Sequence, residues 1–144
     1  MKKIIPIGSD HAGFELKQLV INWLKENGFV PLDQGCYSEE SVDYPDFGHA
    51  VAHIVESGKA DLGIVICGSG NGINMSVNKH EKIRGALCWE PEIATLARQH
   101  NDANIVSIPA RFITSEKAIT IIESFLKTQF EGGRHQRRVE KIAL

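Results

Sequence analysis

Apolar and polar positions along this chain switch repeatedly between the period of a strand and the period of a helix. KIIPIG at 3–8 reads as a strand. Leu16, Leu19, Val20, Trp23 and Leu24 then recur at helical spacing and mark one face of a helix that Gly28 stops. FVPLD at 29–33 reads as a short second strand, and Phe47, Ala50, Val51, Ile54 and Val55 give a second amphipathic helix ended by Gly58. Leu62 to Ile66 is uninterruptedly apolar, as in a strand covered on both faces. Residues 70–79 read as helix and Ile83 to Cys88 as a fourth strand. Pro91 suits the first turn of a helix running to His100, and Asn104 to Ile108 is the fifth strand. Thr114 or Ser115 caps a helix carrying Ala118, Ile121, Ile122 and Phe125, and a last helix begins near Arg134.

Strictly alternating strands and helices predict an α/β, Rossmann-like fold: a five-stranded parallel sheet with right-handed crossovers and helices on both faces. The expected strand order is the flavodoxin-type 2-1-3-4-5, whose switch point lies between strands 1 and 3. Ligands in such sheets bind outside the carboxyl ends of the strands at that point. The 144 residues contain no linker, repeat or low-complexity tract and read as one domain, 1–144.

Two loops should meet at the switch point. Gly8-Ser9-Asp10-His11-Ala12-Gly13 follows strand 1, and Cys67-Gly68-Ser69-Gly70-Asn71-Gly72 follows strand 3. A carboxylate, an imidazole, a thiol and a hydroxyl thus share one crevice. The glycine loop opens a helix, whose free amides and dipole favour an anion, either a bound phosphate or charge that develops during reaction. The same field favours Cys67 as thiolate. A tight turn beside an inert buried thiol fits this loop equally well. The first loop, with Asp33 at the end of strand 2, loosely imitates a dinucleotide site. Its spacing is G-x-x-x-x-G, however, and Asp10 and His11 would crowd the pyrophosphate.

His100 lies on one helical face with Ile93, Leu96 and Ala97, at the end of a helix running antiparallel to the strands. That places it at the sheet edge opposite Cys67, so a site using both needs a second subunit. Arg134 and Arg138 share a helical face and could clamp a phosphate, or could form a solvated basic end. Arg111, after strand 5, is a third candidate, whereas Arg137 faces elsewhere. His49 and His53 have a spacing that can bind zinc, but no H-E-x-x-H pattern surrounds them and solvent exposure is expected. Cys36 and Cys88 read as strand-end or core cysteines, Trp23 as core, and Trp89 as a residue of an interface or of the site margin.

Net charge is −2, so no global field favours nucleic acid or an anionic membrane. Hydrophobic residues make up 42% and charged residues 24%, with no apolar run long enough to span a bilayer. The start, MKKIIPIGSD, is too quickly polar for a secretory signal, so a cytoplasmic location is expected. Three widely spaced cysteines without C-x-x-C argue against a disulfide framework, a zinc ribbon or a thioredoxin motif.

The ordered set GSDHAGFELK, VDYPDF, ICGSGNGI, NK with IRGAL, EP, ARQHNDAN and EGGRHQRRV resembles the type B ribose-5-phosphate isomerase family, which also contains galactose-6-phosphate and allose-6-phosphate isomerases. The likeness spans nearly the whole chain. It implies an aldose–ketose isomerase of the pentose phosphate pathway, without metal or organic cofactor. It implies a homodimer or tetramer with active sites shared between subunits. It assigns Cys67 as the base that moves a proton from C2 to C1, and Ser69 to proton movement between the oxygens. The amides of Gly68, Ser69, Gly70, Asn71, Gly72, Ile73 and Asn74 would stabilise the enediolate. Asp10 and the neighbouring subunit's His100 would open the sugar ring. His11, Arg134 and Arg138 would hold the phosphate with help from Arg111, while Tyr44 and Asn101 look like substrate contacts. Some members replace the cysteine with a carboxylate in the following helix; Cys67 puts this chain on the cysteine branch. A hexose-6-phosphate isomerase stays open as an alternative, as does, in a different class, a nucleotide-binding or thiol-sensing module.

Overall fold

A computed structural model describes residues 2–143 of the chain. The elements follow the expected alternation: β1 (Ile4–Ser9), α1 (Phe14–Glu26), β2 (Val30–Asp33), α2 (Tyr44–Glu56), β3 (Gly63–Cys67), α3 (Asn71–Val77), β4 (Gly85–Leu87), α4 (Pro91–Asn101), β5 (Ile105–Pro109), α5 (Ser115–Lys127) and α6 (Arg134–Glu140). Pro91 sits in the first turn of α4, and the Thr114 hydroxyl caps α5 by accepting from the Lys117 amide. No helix among the described residues is long and apolar enough to cross a membrane.

The five strands form one parallel sheet, as the alternation requires, but its order is β2-β1-β3-β5-β4. The expected order 2-1-3-4-5 is corrected at its last two places. The physical reason is burial. All five residues of β5 are buried, so it is covered on both faces and belongs inside the sheet. β4 spans only Gly85, Ala86 and Leu87, each half-buried, and suits an edge. The switch point between β1 and β3 is unaffected.

Two cores follow from the two sheet faces. Ile5, Ile7, Ile64, Ile66, Val106 and Ile108 point to one face, where Val20 and Leu24 of α1, Ala94 of α4 and Ile121, Ile122 and Phe125 of α5 meet them. Val65, Cys67 and Ile105 point to the other, under Val51 and Val55 of α2 and Ile73 and Val77 of α3. Neighbouring strand residues alternate between the faces, the strand period itself. On α1 the buried stripe is Leu16, Lys17, Val20, Ile21 and Leu24, whereas Leu19 is exposed and Trp23 only packs on the core margin. Lys17 is wholly buried because its ammonium meets Asp33 at 2.7 Å, and Asp33 also accepts the Gly35 amide at 2.9 Å. Asp33 is therefore spent on structure, which removes the acidic residue that a dinucleotide site would need. Cys36 and Cys88 are buried, as expected. Burial pushes the Cys88 thiol up to about 12, so it stays protonated.

Candidate active site

The loops after β1 and β3 meet as the topology demands. Asp10 donates its amide to the Ile66 carbonyl at 3.2 Å, and a Cβ on Gly13 would fall 2.6 Å from the Ile66 side chain. Only a residue without a side chain lets the two loops approach so closely. Asp10 is buried, and its Oδ1 caps the short turn His11–Gly13 by accepting the Gly13 amide. His11 Nδ1 accepts the Val42 amide at 3.2 Å. An amide can only donate, so the proton of a neutral His11 ring resides on Nε2. That leaves a donor free for an oxygen of the substrate.

Cys67 is the last residue of β3 and is 4% exposed. The chain after it turns through Gly70, whose φ of +76° suits glycine. The Gly70 carbonyl accepts the buried Ser107 hydroxyl at 2.7 Å, fixing the loop to β5. Ser69 Oγ accepts the Asn71 amide at 3.2 Å, and no side chain caps α3. Beyond Asn71, the Gly72 and Ile73 amides have no side-chain acceptor among the described residues. Asn74 Oδ1 is buried without a hydrogen-bond partner among the described residues.

Two further residues close over this loop. A Cβ on Gly72 would lie 2.6 Å from the Tyr44 ring, and one on Gly68 would lie 3.1 Å from an Arg111 guanidinium nitrogen. Tyr44 therefore covers the start of α3, and Arg111 lies along the turn after Cys67, anchored by its amide to the Gly68 carbonyl at 3.0 Å. Arg111 reaches the turn after Cys67 because β5, not β4, is the neighbour of β3. Beside the loop, Leu87, Trp89, Pro109 and Phe112 line an apolar cleft that includes Ser69 and Asn71, with Trp89 51% and Phe112 75% exposed.

The remaining candidates lie elsewhere. His100 and Asn101 end α4, directly before the start of β5, whereas Cys67 ends β3. A five-residue strand separates those edges by about 13 Å in strand length alone. His100 stacks on His135 of α6 with ring centroids 4.3 Å apart and planes 13° from parallel. Arg134 and Arg138 are exposed on the same helix, and neither makes a salt bridge among the described residues. Arg137 is exposed too. The His135 pKa is lowered by burial first, then by the neighbouring charges of His100 and Arg134, with Glu131 acting in the opposite sense. His135 escaped sequence reading because a buried histidine four residues from an acid looks like any helix pair.

Within one chain, then, Asp10, His11, Tyr44, Cys67, Gly68, Ser69, Gly70, Asn71, Gly72, Ile73, Asn74 and Arg111 assemble at one edge, and His100, Asn101, Arg134 and Arg138 at the other.

His53 is exposed, as the sequence predicts, whereas His49 departs from that expectation. His49 is half-buried, and both rings pack against His80.

Known proteins are similar to this chain over nearly its whole length. The family model described as Ribose/Galactose Isomerase matches residues 5–142. A ribose-5-phosphate isomerase B of Escherichia coli is 46% identical over 142 residues, covering 99% of this chain and 95% of the relative. A solved ribose 5-phosphate isomerase of Thermotoga maritima superposes with a TM-score of 0.96 at 49% identity, covering 99% of this chain and 98% of its own. The Mycoplasma genitalium ribose-5-phosphate isomerase B, solved with bound ribulose-5-phosphate, gives a TM-score of 0.93 at 44% identity, covering 99% and 95%. The chain belongs to the ribose/galactose isomerase family, among its type B ribose-5-phosphate isomerases, and is an isomerase.

Proposed function

We propose that this chain, acting as one domain over 1–144, interconverts D-ribose 5-phosphate and D-ribulose 5-phosphate in the pentose phosphate pathway of the cytoplasm, as a homodimer or tetramer and without metal or organic cofactor in the reaction. One observation carries the reading. Cys67 opens onto a glycine loop that Tyr44 and Arg111 cover and the Asp10–His11 turn flanks, in a family with a ribulose-5-phosphate-bound member.

The furanose form must open first, which needs a proton at the ring oxygen and removal of one from O1. Asp10, with His100 of a second copy, takes this step. The Cys67 thiolate then removes the C2 proton. The C2–H electron pair forms the C1–C2 double bond and the carbonyl pair moves to O1, giving the enediolate. Free amides of the loop and of the first turn of α3 receive that charge, each worth about 2–4 kcal/mol by analogy with oxyanion holes. Ser69 passes a proton from O2 to O1. The Cys67 thiol returns its proton to C1 as the C2 carbonyl forms.

The phosphate is held by His11 Nε2 and Arg111 from the Cys67 side and by Arg134 and Arg138 from the second copy. Because His100 stacks on α6, a copy that delivers His100 delivers those arginines with it. Binding energy gathered at the phosphate orients carbons that offer the protein little to grip.

An isomerase assay with ribose 5-phosphate beside allose 6-phosphate and galactose 6-phosphate tests the reading. Preference for the pentose supports it. Preference for a hexose moves the chain to a different substrate within the family, and no turnover of any of the three removes the reading.

A further inference from the structure

We propose that His49, His53 and His80 form a binding site for one divalent transition-metal ion, with zinc as the natural occupant and Glu56 as the carboxylate that orients His80. The site lies away from the Cys67 loop, and its metal would take no part in isomerisation.

His49, His53 and Glu56 follow one another at i, i+4 and i+7 on α2, so they share one helical face. His80 comes from the turn after α3, where its amide is fixed to the Val77 carbonyl at 3.1 Å. Its ring is only 11% exposed. His80 Nδ1 lies 3.2 Å from Glu56 Oε1, and the other Glu56 oxygen accepts the Lys82 amide at 3.3 Å. A carboxylate accepts, so Nδ1 carries the proton and His80 Nε2 presents a lone pair to the far side. That lone pair accepts from His49 Nδ1 at 2.7 Å, and the ion would take the place of the shared proton. The His53 ring stands edge-on to His80 with centroids 4.8 Å apart. The ligand atoms of His53, Glu56 and His80 lie within 4.8 Å of one another.

A carboxylate on the outer nitrogen of an imidazole whose inner nitrogen faces other ligands is the usual support of a histidine-bound metal. Three imidazoles with a fourth, solvent-facing position suit zinc, and copper or nickel next. Tetrahedral zinc needs ligand nitrogens about 3.3 Å apart, given Zn–N bonds of about 2.0–2.1 Å. The His49–His80 pair must therefore open by about 0.6 Å, and His53, which is exposed, can turn to complete the set. The ion would tie α2 to the connection between α3 and β4. Sequence spacing offered only the His49–His53 half, because His80 lies 31 positions from His49.

The test uses the full chain, stripped with chelator, dialysed against zinc sulfate and assayed for bound metal. One zinc per chain is expected, together with a rise in Tm on zinc addition. Cobalt in place of zinc should give the strong visible bands of a four-coordinate ion. Glu56→Gln should weaken zinc binding about 10- to 100-fold through its loss from His80. His80→Gln should weaken it further, and His53→Gln, which alters an exposed side chain and leaves the core intact, should also lower affinity. Cys67→Ala and His100→Gln should bind zinc like the wild type, and isomerase activity of the wild type should be equal with and without zinc. No stoichiometric binding, binding unchanged in both His80→Gln and His53→Gln, or binding lost in His100→Gln would overturn the proposal.

Discussion

The two edges of the sheet are built in opposite ways. At the carboxyl edge, Asp10, His11, Cys67, Tyr44 and Arg111 are held by the backbone: loops within van der Waals limits, glycines where any Cβ would collide, and the Val42 amide and the Ser107 hydroxyl bonded to His11 and to Gly70. At the amino edge, Arg134 and Arg138 stand exposed without ion pairs among the described residues, on a helix joined to α4 by the His100–His135 stack. On the proposed reading, one edge is a finished half of a site. The other is a set of cationic and acid–base groups with nothing of its own chain to act on. That asymmetry fits the proposed reaction centre assembled from two copies, with the proton-transfer base on the preorganised edge and His100 and two phosphate-binding arginines on the edge brought to it.

Substitutions at the carboxyl edge should cost most. Cys67→Ala is expected to lower kcat by about 100- to 10,000-fold, the range for a positioned proton-transfer group, and to stop exchange of the C2 proton with deuterated solvent. Near-normal exchange would remove Cys67 as the base. At the amino edge, Arg134→Ala or Arg138→Ala should raise KM about 10- to 100-fold each, the loss of charge-assisted hydrogen bonds, with kcat less affected. Arg137→Ala should leave both constants unchanged, and a KM effect there as large as at Arg134 would mean the basic end acts only as a diffuse field.

A structural comparison comes next. Gly70→Ala places a Cβ 2.5 Å from Leu87 Cδ1 at a φ of +76°. It should destabilise the fold by about 1–3 kcal/mol, read by urea unfolding. Arg134→Ala should leave unfolding near neutral pH unchanged, because its exposed side chain makes no hydrogen bond or ion pair among the described residues.

The smallest effect is a pH dependence. His135 has its pKa lowered below the ordinary value of 6.5, so as pH falls the unfolded chain takes up the proton before the folded one does. The stability tied to the neutral ring is complete above pH 6.5 and is lost as pH falls below it toward the folded value. His135→Gln should flatten that acid limb in unfolding curves taken below pH 6.5. An unchanged limb would place the dependence on another group.

The sequence was readable wherever local pattern decides structure. Periodicity located each strand and helix, and the glycine loop located Cys67 at the switch point. Strand order was readable only in part. The order of β4 and β5 depends on which is covered on both faces, and Ile83 to Cys88 looks as apolar as Asn104 to Ile108 until only Gly85–Leu87 proves to pair. That exchange matters for the site, since it sets β5 beside β3 and so brings Arg111 over Gly68. The Val42 amide on His11, the His135 stack under His100 and the meeting of His80 with α2 join positions far apart or ordinary in pattern, and only the folded chain reveals them. Leu19 fits the helical stripe yet is exposed, because α1 turns Ile21 inward in its place.

The direct test of a site built from two edges is complementation between inactive chains. Cys67→Ala and His100→Ala proteins are each expected to be inactive, and they are mixed under conditions of subunit exchange that mass spectrometry verifies. In a mixed dimer one site carries both lesions and the other carries neither, so an equimolar mixture should regain about a quarter of wild-type specific activity, from random pairing across a symmetric interface. No recovery despite verified exchange would contradict a centre shared between Cys67 of one copy and His100 of another.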